Sequence, residues 1–386
     1  MDIILCHPSL RYKGGAERAI LEIAKRFNPV IYTADSQDAI GFPEFREFDV
    51  RELSAHPAER AISLASGSGR VNISLRAGLR YFFHKFREDY DLINAQVVPS
   101  EWIRNRNPRV CWYCHSPVRA AYDLYGFQVK PLGFPQKQVM DAYLSAYRIG
   151  DALTVPRIEK ICTNSEISNA RIKKYLGRND AEVVISGVDY ENFECAGYEK
   201  FFFYPSRIIP EKRMEMAIEA FSKFAAGGGS ARKGWKLILA GGLSDSARDR
   251  KYFDYLKGLC KATGGKVQFR ANLTDAELKR LYATCYSTLF CAIEEDWGLI
   301  PPESMSASKP CISVNEGGPM YSIIDGKTGF LVNSTDEMAE KMKFLADHPN
   351  ICEKMGKAGR KRVEQNYGWK RYLDQLEHAF KETSKM

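Results

Sequence analysis

The stretch "LFCAIEEDWGLIPPESMSASKPCISV", residues 289–314, contains a complete supersecondary unit. An apolar run from Leu289 to Ile293 ends in three adjacent acids, Glu294, Glu295 and Asp296. Trp297 and Gly298 follow, then a short predicted helix with Pro301 and Pro302 near its start and Glu303 in its first turn, then the apolar run "PCISV". Proline at the first helical position and an acid in the first turn are ordinary helix-opening chemistry, so Glu303 has a purely structural explanation. No such explanation covers three acids at the end of a strand, followed by a glycine that exposes backbone amides. Glu295 and Glu303 stand eight positions apart across the turn, a spacing that lets both face one ligand.

The same alternation runs through the whole chain. In the first half the candidate strands are "DIILC" (2–6), "PVIYTA" (29–34), "FREFDV" (45–50), "LINAQ" (92–96), "RVCWYC" (109–114), "ICTNS" (161–165) and "EVVISG" (182–187). In the second half they are "FFFYP" (201–205), "KLILAG" (236–241), "KVQFR" (266–270), "STLFCA" (287–292), "PCISV" (310–314) and "GFLV" (329–332). Amphipathic stretches such as "AERAILEIAKRF" and "RMEMAIEAFSKFA" lie between them. Short buried strands alternating with helices predict α/β architecture, with parallel sheets covered on both faces. A chain of 386 residues is too long for one ordinary core. The aperiodic segment "GVDYENFECAGYE" (187–199) marks the junction of two doubly wound, Rossmann-like domains facing a central cleft. The expected domains are 1–190 and 191–365, followed by a final segment, 366–386. Gly/Ser-rich "AAGGGSARKG" reads as a surface loop. Ligands of such sheets sit beyond the carboxyl ends of the strands, so the loops there carry the functional reading.

Composition narrows the function classes. The 45% hydrophobic and 27% charged content is ordinary for a globular protein. The net charge of +8 is spread along the chain without a basic run, which argues against nucleic-acid binding and leaves anionic small molecules or an acidic membrane surface. The opening "MDIILCHPSLRYKGG" lacks a basic leader, and no run approaches the roughly 18 apolar residues of a membrane span. The expected location is the cytoplasm, extending to the inner face of the membrane. The basic, aromatic stretch "LRAGLRYFFHKFRE" (75–88) has helical spacing through Phe86; it reads first as a helix with a solvated basic face, and second as a membrane-surface contact.

Two motifs suggest metals or haem and fail on inspection. "CWYCHSP" (111–117) spells C-x-x-C-H, but on a strand Cys111 and Cys114 point to opposite faces and cannot clasp one group. The ten cysteines read instead as buried free thiols. Asp89-Tyr90-Asp91 precedes a strand, at the wrong end for a ligand, and reads as a solvated turn. No metal and no cofactor are expected.

Three loops remain. Gly14 and Gly15 precede the helix beginning near Ala16, where paired glycines let amides approach an anion. In "SRIIPEKRMEMAIEAF" Arg207 falls in a loop, and Lys212 and Arg213 fall in the predicted helix's first turn. Cations there oppose the helix dipole by roughly 0.3–1 kcal/mol each, a cost that a bound diphosphate reverses. The third loop, holding Glu295 and Glu303, is the one quoted first.

Together "GGAER", "SRIIPEKR", "EEDWGLIPPESMSASKPCIS" and "NEGGPMYSIIDGKTGFLV", in that order, resemble retaining glycosyltransferases of the GT-B fold, in the large family numbered four. That family usually carries phenylalanine where this chain has Trp297, and alanine or glycine near Ser306 and Ser308. The resemblance implies that Glu303 holds the donor ribose and that Glu295 approaches the donor sugar. It further implies that the amides of Trp297, Gly298 and Leu299 meet sugar hydroxyls or phosphate, and that Arg207 and Lys212 neutralise the leaving diphosphate. Gly15, beside Gly14, would place its amide near that diphosphate. "CHSPVRAAYDLYG" resembles the stretch of the family's mannosyltransferases in which a histidine, here His115, hydrogen-bonds the donor sugar. Arg119 and Asp123 would shape the acceptor side.

The implied reaction is metal-free transfer of a hexose with retention, from a nucleotide sugar, with GDP-mannose favoured, to a glycan or lipid-linked acceptor. A nucleotide-sugar epimerase or phosphorylase of the same fold, and a catalytically silent sensor or scaffold, are the alternatives. The C-terminal segment "NYGWKRYLDQLEHAFKETSKM" (366–386) has helical spacing, and the resemblance implies that this last helix returns to the first domain, a crossing that suits closure around a donor.

Overall fold

The structure, a computed structural model, describes residues 1–35, 41–59, 70–227, 229–243, 246–261 and 263–386. It forms two compact units: Met1–Ser186 together with Lys370–Met386, and Gly187–Trp369. In the first unit, seven strands form one sheet: β1 (Ile3–His7), β2 (Val30–Thr33), β3 (Val50–Glu52), β4 (Leu92–Gln96), β5 (Val110–Cys114), β6 (Lys160–Thr163) and β7 (Glu182–Val183). Their order is β3-β2-β1-β4-β5-β6-β7, and every pairing is parallel. The second unit has β8 (Phe201–Pro205), β9 (Lys236–Ala240), β10 (Val267–Arg270), β11 (Ser287–Phe290), β12 (Cys311–Val314) and β13 (Gly329–Val332). Their order is β10-β9-β8-β11-β12-β13, again all parallel. The strand order reverses between β1 and β4, and again between β8 and β11. Each reversal sends neighbouring crossovers to opposite faces and opens a crevice at the carboxyl ends.

Burial explains the strands. All residues of β1, β4, β5 and β8 are buried, as sheets covered on both faces require. Helix α1 (Gly15–Phe27) turns Ala19, Ile20, Ile23 and Ala24 inward, and its left-handed cap at Asn28 ends it. Helices α2 (Arg70–Phe83) and α3 (Gln136–Thr154) meet across Trp102. A Cβ on Gly78 or Gly150 would lie 2.5 or 2.4 Å from that indole, so both positions must be glycine for the wedge to fit. The Trp102 Nε1–H donates to Asp151 at 2.9 Å. The second unit is built in the same way, with α4 (Met214–Ala226), α5 (Asp275–Thr284) and α6 (Ile300–Ser306) among its helices.

Helix α7 (Trp369–Thr383) packs on the first unit. Its Phe380 meets Phe27 edge-on at 5.4 Å, Tyr372 meets Tyr113 at 5.6 Å, and Glu382 receives Lys160 Nζ at 2.7 Å. Eight of the ten cysteines are buried thiols; Cys195 is exposed and Cys260 half-buried. Cys114 lies in the core beside Trp112, whereas Cys111 faces Cys162. Of the glycine-rich loop near 225–234, residue 228 lies outside the described residues. Among the described residues no helix is long and apolar enough to cross a membrane.

The structure corrects four sequence expectations. "FREFDV" is not a strand over 45–50, because Pro43 opens a 3₁₀ turn over Pro43–Glu47 that buries Phe45; the strand starts only at Val50. The helical pattern of 75–88 stops at Phe83, and Phe86 reaches the core from an irregular segment. The basic face is only partly solvated: Arg76 keeps a 42% exposed side chain and Lys85 is exposed, but Arg80 is not. Arg80 is buried, donates to Glu59 and Glu52 and to the carbonyls of Ala34 and Leu53, and shares Glu59 with Arg76. Finally, Lys212 and Arg213 precede the helix: Pro210–Lys212 is a 3₁₀ turn, and Arg213 adopts φ 45°, so α4 begins at Met214.

Burial raises the pKa of Glu59, but Arg80, the His56 amide and Arg76 outweigh it and hold the carboxyl at about 2. Because the folded value lies below the ordinary 4.5, the stabilisation is complete above pH 4.5 and is lost as pH falls through 2. Glu59→Gln is expected to cost about 3 kcal/mol near neutrality. In acid-denaturation curves the deficit should vanish toward pH 2; a pH-independent deficit would contradict the ion-pair account.

Candidate active site

In the second unit the site residues come from loops that leave the carboxyl ends of β8, β11 and β12. The β8 loop is held close to β9: the Ser206 N–H donates to the Ala240 carbonyl at 2.7 Å. Gly241 has φ 156°, and a Cβ there would stand 1.8 Å from the Ser206 carbonyl oxygen, so only glycine fits. This places Arg207 outward, exposed and without an ion-pair partner among the described residues. Lys212 follows in the same loop, and its Nζ lies 2.6 Å from Glu295 Oε2. Lys212 is only 8% exposed, whereas the Glu295 side chain is 27% exposed, so the pair has one buried end and one end open to a ligand. An ammonium has three N–H donors, so Lys212 retains donors after serving Glu295. Arg213 has a different task. It donates to the Cys291 carbonyl and, through both terminal nitrogens, to Glu316 at 3.0 and 2.9 Å, which staples the end of β11 to the β12 loop.

The acidic loop itself is strained and supported from behind. Glu294 has φ 45° and Gly298 φ 74°. Gly317 and Gly318 pack against it: a Cβ on Gly317 would lie 2.4 Å from the Glu295 carbonyl oxygen, and one on Gly318 would lie 2.2 Å from that of Trp297. The Gly318 N–H donates to the Glu295 carbonyl at 2.7 Å. Among the described residues no protein acceptor meets the backbone N–H of Trp297, Gly298 or Leu299. These three amides thus lie at the start of α6 without a protein partner, Trp297 and Gly298 being buried and Leu299 half-buried. The Trp297 side chain is buried against Tyr367, and its indole N–H lacks a partner among the described residues; what this position can offer a ligand is its main chain. Glu303 is half-buried and accepts from the Tyr282 hydroxyl at 2.6 Å. Burial, then the charge of Glu303, push the Tyr282 pKa well up, so the phenol stays a donor.

In the first unit the Gly14–Gly15 turn opens α1. Glu17 folds back to accept the Gly14 N–H at 3.1 Å, and a Cβ on residue 14 would meet the same carboxylate oxygen at 2.5 Å. The Gly14 amide is thus already used, while Gly15 has no protein acceptor for its own among the described residues. The other Glu17 oxygen lies 3.4 Å from His7 Nε2, and His7 Nδ1 lies 3.4 Å from the Gln96 carbonyl oxygen. Burial favours the neutral acid at Glu17, but the hydrogen bond and charge of His7 more than offset it and hold the pKa below its usual value.

His115 emerges at the end of β5, edge-on to Tyr113 at 4.8 Å, with Nε2 3.2 Å from Gln96 Oε1. The Ser168 hydroxyl donates to its carbonyl at 2.9 Å. Burial and the neighbouring His7, only partly opposed by Glu17, lower the His115 pKa to about 4, so the ring is neutral at pH 7. Arg119 and Asp123 pair with each other. Asp123 Oδ2 accepts from Arg119 at 2.8 and 3.0 Å and from Arg171 at 3.1 Å, while the buried Asp123 Oδ1 has no partner among the described residues. Asp91, of the D-x-D, sits at the amino end of β4 and accepts from the Asp2 N–H.

Sequence reasoning missed His7, Glu17, Asn94, Gln96, Arg171, Tyr282 and the Gly317–Gly318 support. Three of these carry a local signal. Glu17 stands three residues after Gly14, the spacing of a glutamate that folds back on a helix start. Asn94 and Gln96 put two amides on one face of an otherwise apolar strand. Gly317→Ala is expected to cost about 2 kcal/mol through strain at positive φ and to speed hydrogen exchange over residues 294–299. Unchanged exchange there would show that the glycine pair does not support the loop.

Residues 189–362 match the family described as glycosyl transferases group 1. The chain is 24% identical over 420 aligned residues to the alpha-1,3/1,6-mannosyltransferase ALG2 of Dictyostelium discoideum, covering 97% of each. It is 25% identical to the human ALG2 over 97% of this chain and 94% of that protein. Among solved structures it superposes on HepE of Anabaena, determined in complex with UDP-glucose, with a TM-score of 0.74 at 16% identity over 99% of both chains. At that identity the likeness speaks for the fold alone. The chain is a glycosyltransferase of the GT-B fold that matches the group 1 family over residues 189–362 and resembles mannosyltransferases.

Proposed function

We propose that the protein transfers mannose, with retention, from GDP-mannose to a glycan or lipid-linked acceptor, and that it does so without a metal. The observation that carries this reading is the Lys212–Glu295 pair, in the same loop as the exposed Arg207 and at the carboxyl ends of β8 and β11. A nucleoside diphosphate is a dense, multivalent anion. Lys212 and Arg207 supply fixed cations for the charge that grows on it as the glycosidic bond breaks, and pre-oriented charge of this kind needs no reorganisation during reaction. The amides of Trp297, Gly298 and Leu299 add neutral donors for phosphate or sugar oxygens. Glu303, oriented by Tyr282, is set to accept from two ribose hydroxyls. Glu295, steadied by Lys212, is the carboxylate that approaches the donor sugar.

In the first unit, neutral His115 hydrogen-bonds the sugar, and the Gly15 amide meets phosphate. Arg119 and Asp123 flank the acceptor, where Asp123 Oδ1, unpartnered among the described residues, suits a hydroxyl donor. Mannose is favoured because "CHSPVRAAYDLYG" resembles the mannosyltransferase pattern and because the ALG2 relatives carry that activity in their names. The setting proposed is cytoplasmic, at an acidic membrane face where a lipid-linked acceptor is reached.

The test is a panel of GDP-, UDP- and ADP-sugars, read by mass spectrometry as transfer or slow hydrolysis, with excess chelator in parallel. GDP-mannose should be turned over fastest, and chelator should leave the rate unchanged. A faster UDP-sugar would overturn the donor assignment, and loss of activity in chelator would overturn the metal-free mechanism. Turnover of no donor, with nucleotide still bound, would favour a silent sensor. Glu303→Gln is expected to raise the donor KM roughly tenfold by weakening the ribose hydrogen bonds, with a smaller effect on kcat.

A further inference from the structure

Asn94 and Gln96 are both fully buried on one face of β4, and nothing in the proposed chemistry uses either directly. They form a chain whose every link has a defined polarity. At one end, Asn94 Nδ2 lies 3.2 Å from the Cys111 carbonyl oxygen across the β4–β5 ladder. A carbonyl oxygen can only accept, so the Asn94 atom there must be the NH₂ group, which leaves its Oδ1 pointing the other way. Gln96 Nε2 meets that Oδ1 at 2.8 Å, so Gln96 must donate there and present its own Oε1 at the far end. His115 Nε2 lies 3.2 Å from Gln96 Oε1, an acceptor. His115 must therefore carry its proton on Nε2.

Resting on the proposed function, we infer that Asn94 and Gln96 are positioning residues that lock His115 in the Nε2–H tautomer, so that the atom it offers to substrate is the bare Nδ1. That atom is a hydrogen-bond acceptor. It recognises a hydroxyl that donates, and it offers nothing to a phosphate oxygen. The backbone supports the same orientation: the His115 carbonyl is held by Ser168 and the preceding Cys114 carbonyl by the Thr163 hydroxyl at 2.8 Å, so the ring enters the site from a fixed point. His7 occupies the space beside it, with its two nitrogens facing the Gln96 carbonyl and the Glu17 carboxylate. Protonation of His115 would put a proton on Nδ1 and leave the relay unchanged at Nε2, so the substrate-facing acceptor would be lost without any gain in the network. The low His115 pKa described above agrees with this arrangement but is not needed for it.

The relay makes the specificity of the position legible. A sugar whose hydroxyl at this point is replaced by hydrogen or fluorine cannot donate to Nδ1, and the loss should disappear when His115 is itself removed. It also separates two roles that a single alanine substitution would confuse, because Gln96 acts only through the ring's tautomer and orientation.

The test is long-range ¹H–¹⁵N correlation on the full-length protein labelled at histidine, with the His115 signals assigned by their absence in His115→Gln. At neutral pH, Nε2 should appear protonated and Nδ1 unprotonated. The opposite tautomer, or an imidazolium, would overturn the inference. In Gln96→Met the two tautomers should mix and kcat should fall roughly ten- to a hundredfold, as for other residues that orient a functional histidine; an unchanged tautomer and rate would also overturn it. Should Gln96→Met fail to fold, the wild-type spectrum alone decides. The spectrum needs no sugar donor, so a protein that shows this tautomer yet transfers no sugar contradicts the proposed function and not the relay.

Discussion

A strand in a parallel sheet cannot turn back on itself; it must return through a crossover, so every strand of the sheet ends on the same edge. Both sheets of this protein obey that constraint, and both reverse their strand order once, between β1 and β4 and between β8 and β11. The consequence is chemical as well as topological. His7, at the end of β1, and His115, just after β5, each lie within hydrogen-bonding distance of Gln96 on β4, because β1, β4 and β5 are neighbours that stop together. Lys212 and Glu295 are far apart in sequence and meet at 2.6 Å for the same reason.

Given that edge, local devices decide what each loop presents. Glycines are placed where main chain approaches main chain: Gly241 under the β8 loop, and Gly317 and Gly318 behind the acidic loop. Arginine is used as a staple where a carbonyl and a carboxylate must be held at once, as Arg213 holds the end of β11 to Glu316. Arg207 and the amides of Trp297 to Leu299 are left uncommitted. Residues that fix the backbone and residues that wait for a ligand thus alternate along the same few loops. The Trp297 indole is a departure with a visible cost, since its N–H is buried without an acceptor among the described residues, where the family usually carries phenylalanine. The loss of a hydrogen bond there is worth about 1–3 kcal/mol.

Much of this was legible before the fold was known. "LINAQ", "FFFYP" and "GFLV" are apolar, β-rich runs bounded by polar or glycine signals, and each is a strand over those same residues. The acids of 294–296 and Glu303 fall at a strand end and in a first helical turn because those patterns depend on neighbouring residues alone. What escaped depends on residues distant in sequence. Arg80 reads as a surface cation until Glu52 and Glu59 are brought to it by the packing of α2. The polarity relay is invisible until the register of β4 against β5 places Asn94 opposite Cys111. The start of α4 was misjudged because "PEKRMEM" is good helical sequence, and only the positive φ of Arg213 interrupts it. That turn moves Lys212 off the helix and onto Glu295, which makes it a site residue without opposing a dipole.

The central claim is that the loop after β8 is built to receive a diphosphate through Lys212 and Arg207. Calorimetric titration of GDP into the wild-type protein and into Lys212→Ala, at low and at physiological salt, tests it directly. The account predicts binding that weakens roughly tenfold or more on loss of the ammonium, as for a charge-assisted contact, and a wild-type affinity that falls as salt rises. Equal affinity of the two proteins for GDP would contradict it.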